Sequence, residues 1–145
     1  MIEHTIRIPV RWSDVDPAGI AYYPRFFAWY DLGSETLFES IGLPWPILFP
    51  ANDITGVPIL ESGSRFSSPV CHGDVMTLRS MVAWVKTKTF RMEHEMTRDA
   101  TLCASGFEVR AWVGRAKAPG EPLRTKPIPA EIVRRLTGSL IGERS

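Results

Sequence analysis

Three consecutive runs of alternation constrain this chain more than any other feature. Val75 to Val85 places Met76, Leu78, Val82 and Trp84 on one face. Phe90 to Thr97 sets Phe90, Met92, His94 and Met96 against Arg91, Glu93, Glu95 and Thr97, and Leu102 to Gly114 aligns Phe107, Val109, Ala111 and Val113. A period of two predicts half-buried strands. The short connections Lys86-Thr87-Lys88 and Arg98-Asp99-Ala100-Thr101 predict that they join as hairpins. One long helix precedes them. Pro24 to Ile41 carries Phe26, Phe27, Tyr30, Leu37, Phe38 and Ile41 at mostly helical spacings, with Gly42 as a stop. At 1.5 Å per residue it would run roughly 27 Å, long enough to cross a sheet. With Trp29 its apolar residues spread wider than one stripe, which predicts a helix wrapped by strands.

The remaining segments fill in the plan. Thr5 to Trp12 alternates, with Ile6, Ile8, Val10 and Trp12 on one face, and Pro9 predicts an edge position because proline cannot donate to a ladder. Leu43 to Asp53 is apolar but broken by Pro44, Pro46 and Pro50, so a packed loop or a short helical turn is expected. Val57 to Ser68 returns to strand character, with Pro58 and Gly63 marking an edge or a bulge. A last short strand is expected around Leu123-Arg124-Thr125, then a closing helix from Pro129 to Leu136 and a frayed tail from Thr137 to Ser145. One strand, one long helix and then four or so strands predict an α+β fold: an antiparallel sheet of five to six strands around a central helix. One sheet on one helix leaves edges and a face uncovered in a chain with five Trp and seven Phe, so self-association is expected.

Between the first strand and the helix lies the run with chemical character, Trp12-Ser13-Asp14-Val15-Asp16-Pro17-Ala18-Gly19-Ile20-Ala21-Tyr22-Tyr23-Pro24. Asp14 and Asp16 would share a face of an extended segment, while Pro17 and Gly19 break regular structure directly after them. Pro24 suits the first position of a helix, whose free amides and dipole favour negative charge. A carboxylate and an electrophilic helix end on one loop are what attack on a carbonyl requires. The same residues are also ordinary turn formers.

Composition excludes several classes. At 145 residues and 44% hydrophobic content the chain suits one domain, residues 1–145, with its own core. Its 17 basic and 16 acidic residues give +1, which offers no general attraction to nucleic acid or membranes. The start, Met1-Ile2-Glu3-His4, has no signal-peptide pattern and no run approaches the roughly 18 apolar residues of a membrane span, so a cytoplasmic protein is expected. Cys71 and Cys103 form neither a disulfide framework nor a zinc motif, and buried reduced thiols are expected. His4 and His72 lack companions, no metal site is expected, and His94 reads as a satisfied core histidine. Asp31 and Glu35 lie one turn apart on the helix, where carboxylates are commonly just solvated. Lys86 and Lys88 are either edge protection or donors to phosphate.

The loop Asp14-Val15-Asp16-Pro17-Ala18-Gly19-Ile20, followed by Tyr23-Pro24 and Trp29-Tyr30-Asp31, resembles the hot-dog-fold thioesterases of the 4-hydroxybenzoyl-CoA type. Weaker likeness extends through Gly42-Leu43-Pro44, Pro58-Ile59 and the hairpin from Lys86 to Phe90. The resemblance implies a hot-dog fold and hydrolysis of an acyl-CoA, with an aromatic, hydroxybenzoyl-like acyl group. It makes Asp16 the nucleophile or general base, and backbone N–H groups around Tyr22 and Tyr23 the donors to the carbonyl oxygen. It further implies that Tyr22, Phe27 and Tyr30 pack the ring, that Asp31 binds a ring substituent, and that Lys86, Thr87 and Lys88 meet the nucleotide. Coenzyme A would be part of the substrate and no cofactor is implied. Dimers pairing into tetramers, with sites between subunits, are implied as well. Val57 departs from the family pattern, where a hydroxyl-bearing Thr precedes the proline. The alternatives are a thioesterase for short aliphatic acyl-CoA or acyl carrier protein, a hydratase or dehydratase on the same fold, and a non-catalytic acyl-thioester binding module. The Tyr23-Pro24 pair, where some aliphatic-acyl relatives carry Tyr-His, favours aromatic substrates.

Overall fold

The computed structural model of the chain describes residues 2–138. Within them the order is β1 (Glu3–Pro9), α1 (Pro24–Ser40), α2 (Trp45–Ala51), β2 (Ile54–Gly56), β3 (Ile59–Phe66), β4 (Val75–Val85), β5 (Thr89–Arg98), β6 (Thr101–Ala111), β7 (Val113–Gly114) and α3 (Ala130–Thr137). Five strands make one antiparallel sheet in the order β1-β4-β5-β6-β3, and β2 pairs with β7 apart from it. Pro9 ends edge strand β1 and Pro58 directly precedes edge strand β3, places where a missing N–H is tolerated. Of the tail expected to fray, residues 139–145 lie outside those described.

α1 buries Phe26, Trp29, Tyr30, Gly33, Ser34, Leu37 and Phe38, steps of three and four residues that trace a single stripe against the sheet. That is narrower than the sequence spread suggests: Phe27 is half-buried and Leu32 is exposed on the flanks. The N-terminal half of the stripe packs with Ile8, Met76, Leu78 and Met96, and the C-terminal half with Val82, Phe90, Met92 and Trp112. Each fully buried side chain of this size contributes about 1.5–3 kcal/mol. Gly106 on β6 lies where a Cβ would overlap the Tyr30 ring, so only glycine lets helix and sheet approach so closely there. α2 is short because Pro44 and Pro46 suit a helix start while Pro50 cannot continue one.

Two β-bulges overturn parts of the sequence reading. Thr97 pairs with Leu102, but Met96 pairs with Ala104, so Cys103 is an extra residue in β6. Because side chains alternate, one extra residue exchanges the faces of everything beyond it. Glu108 and Arg110 therefore point inward, opposite Met92 and Phe90, while Phe107 and Val109, expected inside, lie on the outer face. Phe107 is covered there by the Arg91 guanidinium, 4.0 Å from the ring centre. Ala83 is similarly unpaired between Val82 and Trp84. It turns Trp84, also expected inside, to face Arg91, beneath the Lys86 ammonium at 4.5 Å. Trp12 is a third correction: β1 ends at Pro9, and Trp12 lies in a single 3-10 turn, 75% exposed. Cys103 is buried as expected, but Cys71, in the exposed connection before β4, is not.

Candidate active site

The loop from Asp14 to Tyr22 folds back on itself as a miniature hairpin. Tyr22 N–H donates to the Asp14 carbonyl at 2.9 Å, Val15 bridges Ala21, and Asp16 N–H donates to the Ile20 carbonyl at 2.9 Å. Pro17 and Ala18 form the tip, and Gly19 closes it at φ +80°, the left-handed region that glycine occupies without strain. Ala21 N–H donates to the Val70 carbonyl at 2.7 Å, which ties the hairpin to the segment before β4.

The two carboxylates take different parts. Asp14 is structural: its Oδ2 accepts the Arg11 N–H at 2.9 Å, and its Oδ1 lies 3.6 Å from Arg25 Nε. Asp16 is half-buried, and its Oδ1 accepts the Ala18 N–H at 2.8 Å in a local Asx turn. Its Oδ2 has no protein partner among the described residues. Directly across the ladder from Asp16 stands Ile20, which lines an apolar cleft of about 350 Å³ with Ala21, Tyr23, Phe26, Phe66 and Val70. Opposed residues hold their Cβ atoms roughly 5 Å apart, so Asp16 is one cross-ladder neighbour away from the residues that line the cleft.

The helix start supplies fewer donors than its sequence suggests. Tyr22 N–H is taken by Asp14, Pro24 has none, Arg25 N–H donates to the Tyr22 carbonyl at 2.8 Å, and Phe26 N–H to the Tyr23 carbonyl at 3.2 Å. The Tyr23 N–H alone of this group has no backbone acceptor among the described residues, and Tyr23 is one of the residues that line the cleft. The rings of Tyr22 and Tyr23 are exposed, 5.4 Å apart at their centres.

Other predicted positions are placed elsewhere. Tyr30, expected against a substrate ring, is fully buried. Its ring stacks on His94 at 5.0 Å, and its hydroxyl bonds Ser64 Oγ at 2.7 Å, so no ligand reaches it within this chain. Burial pushes its hydroxyl pKa up, and the Ser64 bond only partly opposes this. Asp31 is half-exposed on the outer flank of α1, about 12 Å along the axis from Tyr23. Lys86, Thr87 and Lys88 form an exposed hairpin held by its own backbone: the Thr87 carbonyl accepts from Ile128 N–H at 2.8 Å and that of Lys88 from Trp112 N–H at 2.9 Å. It sits at the Val85 end of β4. The Asp16 loop is tied to the opposite end, where Val10 N–H donates to the Asp74 carbonyl. The ten steps between Val75 and Val85 span roughly 33 Å. Within one chain the loop and the hairpin are thus not brought together.

Sequence reading missed a buried polar belt between the two apolar halves of the core. Glu108 Oε1 accepts from Ser34 Oγ and, at 3.1 Å, from His94 Nε2, and Glu108 Oε2 accepts from an Arg110 amino group at 2.9 Å. Ser80 Oγ bonds His94 Nδ1 at 2.8 Å, which makes His94 the satisfied core residue its position predicts. Burial raises the Glu108 pKa, but the His94 hydrogen bond and the charges of Arg110 and His94 outweigh it and hold the carboxyl down at about 2. Arg110, 4% exposed in its side chain, also pairs with Asp31 Oδ1 at 2.6 Å. The available signal was His94, an inward imidazole that needed partners on the neighbouring strand. Among the described residues no three His, Cys, Asp or Glu side chains converge as metal ligands would, and no helix is long and apolar enough to cross a membrane.

A helix laid on an antiparallel sheet, with a carboxylate loop at the helix start, is the arrangement of hot-dog thioesterases. The sequence model of the thioesterase-like superfamily matches residues 10–136, and the chain belongs to that family of thioester hydrolases. It is 29% identical over 135 residues to the 4-hydroxybenzoyl-CoA thioesterase of Pseudomonas sp. (strain CBS-3), covering 89% of this chain and 94% of that one. The solved structure of the 4-hydroxybenzoyl CoA thioesterase from Pseudomonas sp. strain CBS-3 superposes with a TM-score of 0.84 at 27% identity, over 92% of this chain and 98% of that one. The 1,4-dihydroxy-2-naphthoyl-CoA hydrolase of Synechococcus sp. (strain WH7803) is 25% identical over 139 residues, covering 92% and 88% of the two chains.

Proposed function

We propose that this chain hydrolyses a hydroxylated aromatic acyl-CoA to the free acid and coenzyme A, with Asp16 as nucleophile or general base. One observation carries the reading. Asp16 faces, across its hairpin, the Ile20 that lines an apolar cleft, with one oxygen anchored by Ala18 N–H and the other unpartnered, ahead of a helix whose Tyr23 N–H has no acceptor. Both relatives named above act, by name, on hydroxylated aromatic acyl-CoA esters.

In this reading Tyr23 N–H donates to the thioester oxygen as negative charge develops on it. The free Asp16 oxygen attacks the carbonyl carbon and expels the thiolate, leaving an anhydride for water to open, or it takes a proton from the water that attacks. Tyr22 and Phe27 flank the ring, and Asp31 accepts from a ring substituent. Lys86, Thr87 and Lys88 meet the nucleotide of a coenzyme A held by another copy, because roughly 33 Å of sheet separates them from Asp16 of their own chain. The working unit is accordingly a homodimer or homotetramer of one-domain chains, cytoplasmic and without a cofactor of its own. The exposed Ile59, Leu60 and Phe66 of edge strand β3 offer apolar surface for that assembly.

A thiol-release assay across hydroxybenzoyl, benzoyl and short aliphatic CoA esters tests this. Fastest release from the hydroxylated aromatic ester is expected. Preference for the aliphatic esters would overturn the substrate class, and tight binding of every ester without release would make the chain a binding module.

A further inference from the structure

We propose that Arg110 is a positioning residue that fixes Asp31 for ring recognition, so that discrimination between hydroxylated and unsubstituted acyl rings is set from inside the sheet. The inference rests on the thioesterase reading above and adds to it a residue that does not itself touch substrate.

Asp31 is a short acidic side chain with 55% of its surface in water. Such a carboxylate ordinarily samples several rotamers and must be ordered at a cost when a ligand binds. Here an Arg110 amino group holds Asp31 Oδ1 at 2.6 Å, and Oδ2 has no partner among the described residues. Arg110 has little freedom of its own. Its Nη1 donates to the Val57 carbonyl at 2.9 Å, its Nε and Nη2 grip the two Glu108 oxygens at 3.3 and 2.9 Å, and Trp45 lies against the guanidinium at 5.3 Å. Glu108 is fixed in turn by Ser34 and His94, and His94 by Ser80. Each link is buried apart from Asp31 itself.

The planar fork is what allows one cation to serve two carboxylates and a carbonyl at once, and an ammonium cannot reproduce it. The result is a pinned, half-exposed carboxylate with one oxygen left unpartnered. That oxygen can only accept, so it favours a ring carrying an O–H and opposes one carrying a second carboxylate.

The test measures kcat/KM for 4-hydroxybenzoyl-CoA and benzoyl-CoA in the wild type, Arg110→Lys, Asp31→Asn and the double variant, with melting temperatures to confirm folding. A hydrogen bond to a charged group is worth about tenfold or more, so the hydroxyl preference is expected to fall about tenfold in either single variant. It should fall no further in the double variant, because Arg110 acts only through Asp31. Glu108→Gln, isosteric and uncharged, is the second route should Arg110→Lys not fold, and a smaller fall in the same ratio is expected. If Arg110→Lys lowers both substrates equally, or lowers the ratio again on the Asp31→Asn background, Arg110 is structural only. If the wild type turns over both esters without preference, the recognition role fails while the thioesterase reading stands, and if it turns over neither, both fail.

Discussion

The Asp16 carboxylate keeps one oxygen unpartnered on a half-exposed turn, whereas Glu108, buried in the sheet, accepts from Ser34, His94 and Arg110 together. The difference fits the role proposed for Asp16 and the structural one seen for Glu108. A group that is to attack carbon or take a proton needs a lone pair that folding has not used, and only partial hydration makes that affordable. A charge taken out of water needs every lone pair answered, because an unanswered one is a standing cost.

That contrast can be broken in three ways. Glu108→Ala leaves Arg110 buried without its main counter-charge and is expected to destabilise the fold by about 3–5 kcal/mol in denaturant unfolding. A loss under about 1 kcal/mol would show that the belt is not needed. Acid should act on the same group. With its folded carboxyl held at about 2, below the ordinary 4.5, Glu108 stabilises the fold fully above about pH 4.5 and progressively less as the pH falls towards 2. The amount at stake is roughly 3 kcal/mol, and Glu108→Gln should flatten that part of the stability profile. Asp16→Asn sharpens the comparison from the other side. It keeps the oxygen that accepts from Ala18, so melting should not move, while turnover should fall at least about 10²-fold, about 2.7 kcal/mol of barrier. Wild-type turnover in that variant would remove Asp16 from the chemistry.

Most of the framework was legible because it is local. Alternation placed β1, β4 and β5, helical spacing placed α1, and turn chemistry placed the turn after Asp16 without tertiary information. The buried belt was not legible for an equally definite reason. Phe107, Val109, Ala111 and Val113 alternate as an inward face should, and an unbulged hairpin from Arg98 and Thr101 would have set Met92 opposite Phe107. Cys103 reverses that assignment, and no residue type around it announces the bulge. The donors at the helix start were overcounted because the use of Tyr22 N–H by Asp14 depends on a fold-back that periodicity does not describe.

The additional residue at Cys103 also limits how this lineage can change. Deleting a single amino acid from the first half of β6 would exchange the wet and dry sides of the strand, expelling Glu108 and Arg110 and drawing Phe107 in. Length changes there are tolerable only in pairs, so this short stretch should vary in letters far more readily than in count.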